Sequence, residues 1–177
     1  FGDKKIGYFK LPEFRKELTL DKRVKKATAY VCGLGQFELY LNGSKVGDHF
    51  LDPGWTKFDK QSLYVTFDVT SMLKKGSNAV GAMLGNGFFN MPRARYFKLF
   101  QTYGAPRLVM LLTIEYKDGT VENIVTDKDW KVSQSPITFS STYGGEDYDA
   151  NLYQQGWSEP GFNDSSWSSP VVLGPVT

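Results

Sequence analysis

Three short stretches hold the residues best suited to chemistry. Leu51-Asp52-Pro53-Gly54-Trp55-Thr56 sets a carboxylate, a rigid proline and a large aromatic ring close together. A flat ring lies well against the apolar C–H face of a sugar, and a carboxylate accepts bidentate hydrogen bonds from its hydroxyls. Asp52 and Trp55 are therefore a candidate carbohydrate contact. The same pair suits a structural role, with Trp55 covering the end of a core and Asp52 capping a turn.

The second stretch is Gly85-Asn86-Gly87-Phe88-Phe89-Asn90. Glycines on either side free the backbone to present the Asn86 amide outward while Phe88 or Phe89 stacks, although turn chemistry alone also selects Asn between glycines. Arg93, Arg95, Tyr96 and Lys98 follow in a loop. Arg93 and Arg95 are candidate donors to hydroxyls, and Tyr96 is a second candidate platform. Glu146, Asp147 and Asp149 make up the third stretch. Hard oxygen ligands at nearby positions suit calcium, so they are a candidate calcium site, but the spacing is not that of an EF-hand loop. Weighed as a glycosidase pair, Glu146 and Asp149 could reach the separation of about 5 to 9 Å that such chemistry needs.

Composition removes other classes. With 21 basic and 19 acidic residues the net charge is +2, too weak a field to argue for nucleic acid or an acidic membrane surface. One histidine, His49, excludes a multi-histidine metal site, and its place in a hairpin strand with no activating partner apparent argues against a Ser-His-Asp arrangement. One cysteine, Cys32, cannot form an internal disulfide and is expected to be a buried, inert thiol. No apolar run approaches the length of a membrane helix.

The elements that must position these residues are short strands. Phe37, Leu39 and Leu41 alternate with Glu38, Tyr40 and Asn42, and Asn42-Gly43 supplies the positive φ angles of a two-residue hairpin, with residues 46–51 returning. Residues 62–69 and 79–84 are further strands. Residues 26–32 form another, with 79–84 as its expected partner. Met72 and Leu73 suit one helical turn. The charged run 15–26 is expected on the exposed face of an edge strand, and the apolar run 107–115 in a central strand buried on both faces. A turn at 117–120 leads to a strand at 121–125, and shorter strands follow at 130–132 and 137–141. The last thirty or so residues are irregular, with Trp157, Phe162 and Trp167 expected to pin them to the core. About ten short strands with frequent turns and little helix predict an all-β, antiparallel two-sheet sandwich.

The "YLNG..VGD" hairpin, the "DPGWT.FD" loop, the "FDVTSMLKKGSN" corner and the closing "GGEDYDANLYQQGWSEPGFNDSSW" resemble the N-terminal domain of bacterial α-L-rhamnosidases. The broader pattern is similar to the galactose-binding-like jelly rolls that accompany many glycoside hydrolases. Asn151 stands where Arg is usual in that closing motif. The resemblance implies a single jelly-roll domain over residues 1–177, with a sandwich core over roughly 7–141 and a closing segment over 142–177, excised from a larger hydrolase.

The resemblance also implies a non-catalytic accessory domain, because relatives carry their acid and base on a separate (α/α) barrel. Its expected partners are rhamnose-containing glycans, plausibly through terminal L-rhamnose, and that barrel in the same polypeptide. Calcium is the one cofactor it raises, since some rhamnosidase-type jelly rolls hold L-rhamnose through calcium. The alternative is a spacer with no sugar binding of its own. Localisation, whether periplasmic, secreted or cytoplasmic, follows the parent enzyme.

Overall fold

The computed structural model describes residues 11–91, 95 and 101–174. Thirteen strands run in chain order among them: β1 (Pro12–Leu20), β2 (Val24–Leu34), β3 (Gln36–Leu41), β4 (Ser44–Lys45), β5 (Val65–Asp68), β6 (Gly76–Gly85), β7 (Asn90–Met91), β8 (Gln101–Thr102), β9 (Arg107–Tyr116), β10 (Val121–Val125), β11 (Lys131–Gln134), β12 (Ile137–Ser141) and β13 (Gly145–Tyr148). A five-stranded sheet, β11-β1-β6-β3-β4, faces a four-stranded sheet, β10-β9-β2-β5, and every pairing is antiparallel. β12 with β13 and β7 with β8 make two separate hairpins. The expected all-β sandwich is present, with single 3₁₀ turns at Thr70–Met72 and Ala150–Leu152.

Period-two alternation fills the space between the sheets. Phe14, Leu18 and Leu20 of β1 point inward, with Leu39, Leu41, Val80, Ala82 and Leu84 from the same sheet. Ala27, Ala29, Val31, Leu108, Met110, Leu112 and Ile114 meet them from the other sheet. The β3–β4 turn has φ of 51° at Asn42 and 84° at Gly43, as the dipeptide predicts. The Asn42 side chain then ties that turn to the corner after β5. Its amide donates to Met72 O at 2.7 Å and Asn78 Oδ1 at 2.9 Å, while its oxygen accepts from Ala79 N at 2.9 Å. Asn78, itself fully buried, donates to Lys74 O and Gly76 O.

Several strand expectations are corrected. Residues 26–32 do not pair with 79–84, since β2 lies between β9 and β5 in one sheet and β6 between β1 and β3 in the other. The return after Asn42-Gly43 stops at Lys45, and Gly47 already stands at φ 71°. The strand expected at 62–69 begins only at Val65. β9 is not buried on both faces: its residues alternate, with Val109 and Leu111 exposed. The strand covered on both faces is β6, which is rich in small residues. A Cβ at Gly81 would run into the Trp157 ring, so the missing side chain is what admits the closing segment.

Nor does the charged run beginning at Arg15 paint an edge, because β1 is flanked by β11 and β6. The Arg15 side chain is fully buried. Its guanidinium donates from Nε to Trp157 O at 2.9 Å, from Nη2 to Glu159 O at 3.1 Å, and from Nη1 to Asp164, and it lies 5.4 Å from the Phe162 ring centroid. Three consecutive parts of the closing segment are thus held by one cation. Trp157 and Trp167 are buried as expected and stack on each other. Val132 and Ser168 exchange two backbone hydrogen bonds, and Gly43 N donates to Ser158 O.

Glu13 is the second charged residue of β1 on this outer face, and it is fully buried. Gln154 donates to its Oε1 at 3.2 Å and accepts from the Trp167 indole at 3.0 Å, while Glu13 Oε2 has no partner among the described residues. Burial pushes the Glu13 carboxyl up to about 8 against the weaker pull of the Gln154 hydrogen bond.

Two outcomes follow from this face. Arg15→Met, which removes the charge and orphans two carbonyls and a carboxylate, is expected to lower stability by roughly 3 kcal/mol in urea denaturation. Glu13 binds its proton more tightly folded than unfolded. Its contribution is complete below the ordinary pKa of 4.5 and is lost as pH rises from there through about 8. Tm measured against pH is therefore expected to fall across that window, and Glu13→Gln is expected to flatten the fall.

Candidate functional site

The loop after β4 bends across the end of the sandwich. Phe37 N donates to Asp52 O at 2.8 Å, which fixes the loop against β3, and the Asp52 carboxylate holds His49 Nδ1 at 2.9 Å. His49 thus lies in a loop and not in a hairpin strand. Trp55, 67 % exposed, lies nearly flat on Phe88, with centroids 4.7 Å apart and an interplanar angle of 18°. Tyr143 meets Phe88 edge-on at 6.1 Å, so three aromatic rings from separate loops form one exposed platform. Phe58, Phe89 and Tyr103 form a second group of rings, with Phe89, the neighbour of Phe88, buried.

Asn86 does not present its amide outward. It is 2 % exposed, donates to Ser140 O at 2.8 Å and accepts from Asn90 Nδ2 at 2.7 Å, and so joins the β6 end to β12. Asn90 in turn accepts from Thr102. Of the two flanking glycines, Gly87 has the positive φ, 50°. Arg95 is exposed but engaged: Nη1 donates to Asp147 Oδ1 at 2.8 Å, Nη2 donates to Oδ2, and the guanidinium lies 4.3 Å from the Phe139 ring centroid. Arg93 and Tyr96 lie outside the described residues.

The three carboxylates proposed for calcium face different ways. Asp147 pairs with Arg95, which holds its carboxyl below the usual range. Asp149 accepts from Asn151 N at 3.0 Å and Asn151 Nδ2 at 2.9 Å, capping the 3₁₀ turn. Glu146, adjacent to Asp147 on β13, points to the opposite side of the strand. Among the described residues no group of three or more His, Cys, Asp or Glu side chains could hold a metal ion. Cys32 is half-buried on the outer face of β2, where burial pushes its thiol up.

Between the outer face of β3 and the closing segment lies a cleft of about 320 Å³, lined by Glu38, Tyr40, Phe50, Glu146, Tyr148 and Tyr153 among others, with Trp157 as a wall. Burial disfavours the charged form of Glu38, but hydrogen bonds from Lys45 and Tyr40, each 2.7 Å, hold its carboxyl below the usual range. Burial and then the Glu38 charge push Glu146 up. The alternation along β3 puts Glu38 and Tyr40 on its outer face, but no local pattern in the sequence signals what covers that face.

Comparison with known proteins places this arrangement. The model of the α-L-rhamnosidase N-terminal domain matches residues 22–175. The chain belongs to that family. An α-L-rhamnosidase of Formosa agariphila is 43 % identical over 169 residues, covering 92 % of this chain and 17 % of the relative. The solved α-L-rhamnosidase from Dictyoglumus thermophilum superposes with a TM-score of 0.84 at 39 % identity, over 94 % of this chain and 18 % of that one. The Streptomyces avermitilis α-L-rhamnosidase complexed with L-rhamnose gives 0.85 at 37 % identity, over 90 % and 16 %. The chain spans between 14 and 18 % of the length of the curated α-L-rhamnosidases it matches.

Much of what marks this rhamnosidase N-terminal domain is architectural. Asn42, Asn78 and Gly81 lock turns and admit the closing segment, and Asn86 braces β12. Asn86→Ala is expected to cost about 1 to 3 kcal/mol in chemical denaturation, the range for orphaning buried partners, whereas Trp55→Ala is expected to cost under about 1 kcal/mol.

Proposed function

We propose that this domain is a non-catalytic, carbohydrate-binding part of a longer α-L-rhamnosidase chain, and that it takes terminal L-rhamnose on the Trp55–Phe88–Tyr143 platform. The observation that carries the reading is the Trp55 ring itself, two-thirds exposed yet held in place by stacking on Phe88. Exposing a large aromatic ring is costly unless something covers it, and a ring already immobilised loses little entropy when a sugar does so. Asp52, three residues before Trp55 on the same loop, supplies an acceptor through the largely buried carboxylate it shares with His49. Arg95 and Asp147, the latter on the strand that follows the Tyr143 turn, supply a donor and an acceptor that already neutralise each other.

The second element of the proposal is packing beside the catalytic domain, which supports a spacer role even without sugar binding. The outer face of β2, β9 and β10 exposes Tyr30, Val109, Leu111 and Val125, with Tyr64 edge-on against Tyr30 at its margin. A partly apolar sheet face of this kind, with the Lys25–Glu115 ion pair at one end, suits a domain contact.

Calorimetric titration of the chain with L-rhamnose separates the two. Saturable binding is expected, and Trp55→Ala is expected to weaken it by about 1 to 3 kcal/mol while leaving the denaturation midpoint nearly unchanged. A folded protein that releases no heat with the sugar supports the spacer reading.

A further inference from the structure

We infer that the cleft between β3 and the closing segment is a second sugar subsite, which receives the saccharide unit next to the one held on the Trp55 platform. The inference rests on the carbohydrate reading and extends it from one sugar to two. Its first ground is a set of unused hydrogen-bonding groups. Glu146, exposed at its strand position, accepts no hydrogen bond from any described residue, and partial desolvation of its carboxyl and then the Glu38 charge push it up. Glu38, by contrast, is already satisfied by Lys45 and Tyr40. The Tyr148 and Tyr153 hydroxyls line the same cleft and bond to no described protein group. A free acceptor beside free hydroxyls, each able to donate or accept, matches the array of hydroxyls on a sugar ring. A cation would satisfy the carboxylate but not the phenols.

The second ground is shape. A volume of about 320 Å³ falls at the small end of ligand pockets, roughly 300 to 1,000 Å³, and the walls are aromatic. Tyr40 and Trp157 meet edge-on at 5.3 Å and are fixed by the core and the closing segment, whereas Tyr148 and Tyr153 are exposed at the mouth. Strand alternation puts Glu146 and Tyr148 on one side of β13 and leaves Asp147 on the other, with Arg95.

Continuity with the platform is the third ground, and it is carried twice by the chain. The β12–β13 hairpin bears Tyr143 of the platform at its turn and Glu146 and Tyr148 of the cleft on its second strand. The loop after β4 lines the cleft with Phe50 and Leu51 and reaches the platform at Trp55. A glycan lying on one is led into the other.

The test compares L-rhamnose with the disaccharide α-L-rhamnosyl-(1→6)-D-glucose by calorimetry. The disaccharide is expected to bind about tenfold tighter, the equivalent of one well-placed set of contacts. Glu146→Gln and Tyr148→Ala, both at exposed positions, are each expected to bring the ratio of the two affinities close to one. Equal affinities in the unaltered chain, or a ratio that neither substitution changes, overturn the second subsite and leave the platform standing. Absence of binding by either sugar to the folded chain overturns both.

Discussion

One buried guanidinium organises the outer face of the five-stranded sheet. Arg15 sits in the middle of a strand, with no exposure, and offers its donors outward from the five-stranded sheet and away from the core between the sheets. A charge there is tolerable only if every donor is met, and the closing segment meets them with two backbone carbonyls and Asp164. The dependence is mutual. Without the closing segment Arg15 would face solvent beside the bare, small-residue surface of β6, and without Arg15 the irregular segment would lack its strongest anchor. Trp157 enters over Gly81 because the cation holds its carbonyl, and Trp157 then forms the wall of the cleft.

Charge on the outer face of this sheet and on the β12–β13 hairpin beside it is graded by how well it is satisfied. Arg15 is fully engaged, Glu38 is held ionised by Lys45 and Tyr40, Glu146 is unpartnered at the cleft, and Glu13 is buried with one oxygen unpaired. The group with spare capacity at the surface is the one that the proposed second subsite uses. The buried one acts on stability instead, through its proton. The platform differs in kind: its geometry comes from ring stacking between loops, and needs no compensated charge.

Local chemistry was legible in the sequence, and long-range pairing was not. The Asn42-Gly43 turn, the helical turn at Met72, the hairpin around Gly119 and the pinning role of Trp157 and Trp167 each follow from a few adjacent residues. That β6 joins β1 and β3 instead of β2 depends on partners tens of residues away, for which periodicity carries no address. Arg15 was placed on a solvated edge because charge usually is, and its partners lie more than 140 positions later. Asn86 between glycines looks the same in sequence whether its amide meets a ligand or Ser140, and only the fold decides for Ser140. Trp55 was singled out from composition and spacing, and the fold leaves it exposed. The cleft was missed because β3 and β13, which form it, are joined in no local pattern.

The central claim is that sugar lies on Trp55, and the indole N–H resonances test it directly, because the chain has four tryptophans. Trp130 and Trp167 donate their indole protons to Val125 O and to Gln154 Oε1, each at 3.0 Å, within the fold. In a ¹H–¹⁵N spectrum titrated with L-rhamnose, the account predicts a saturable shift of the Trp55 indole while those of Trp130 and Trp167 stay in place. Saturable binding that leaves the Trp55 resonance unmoved contradicts it.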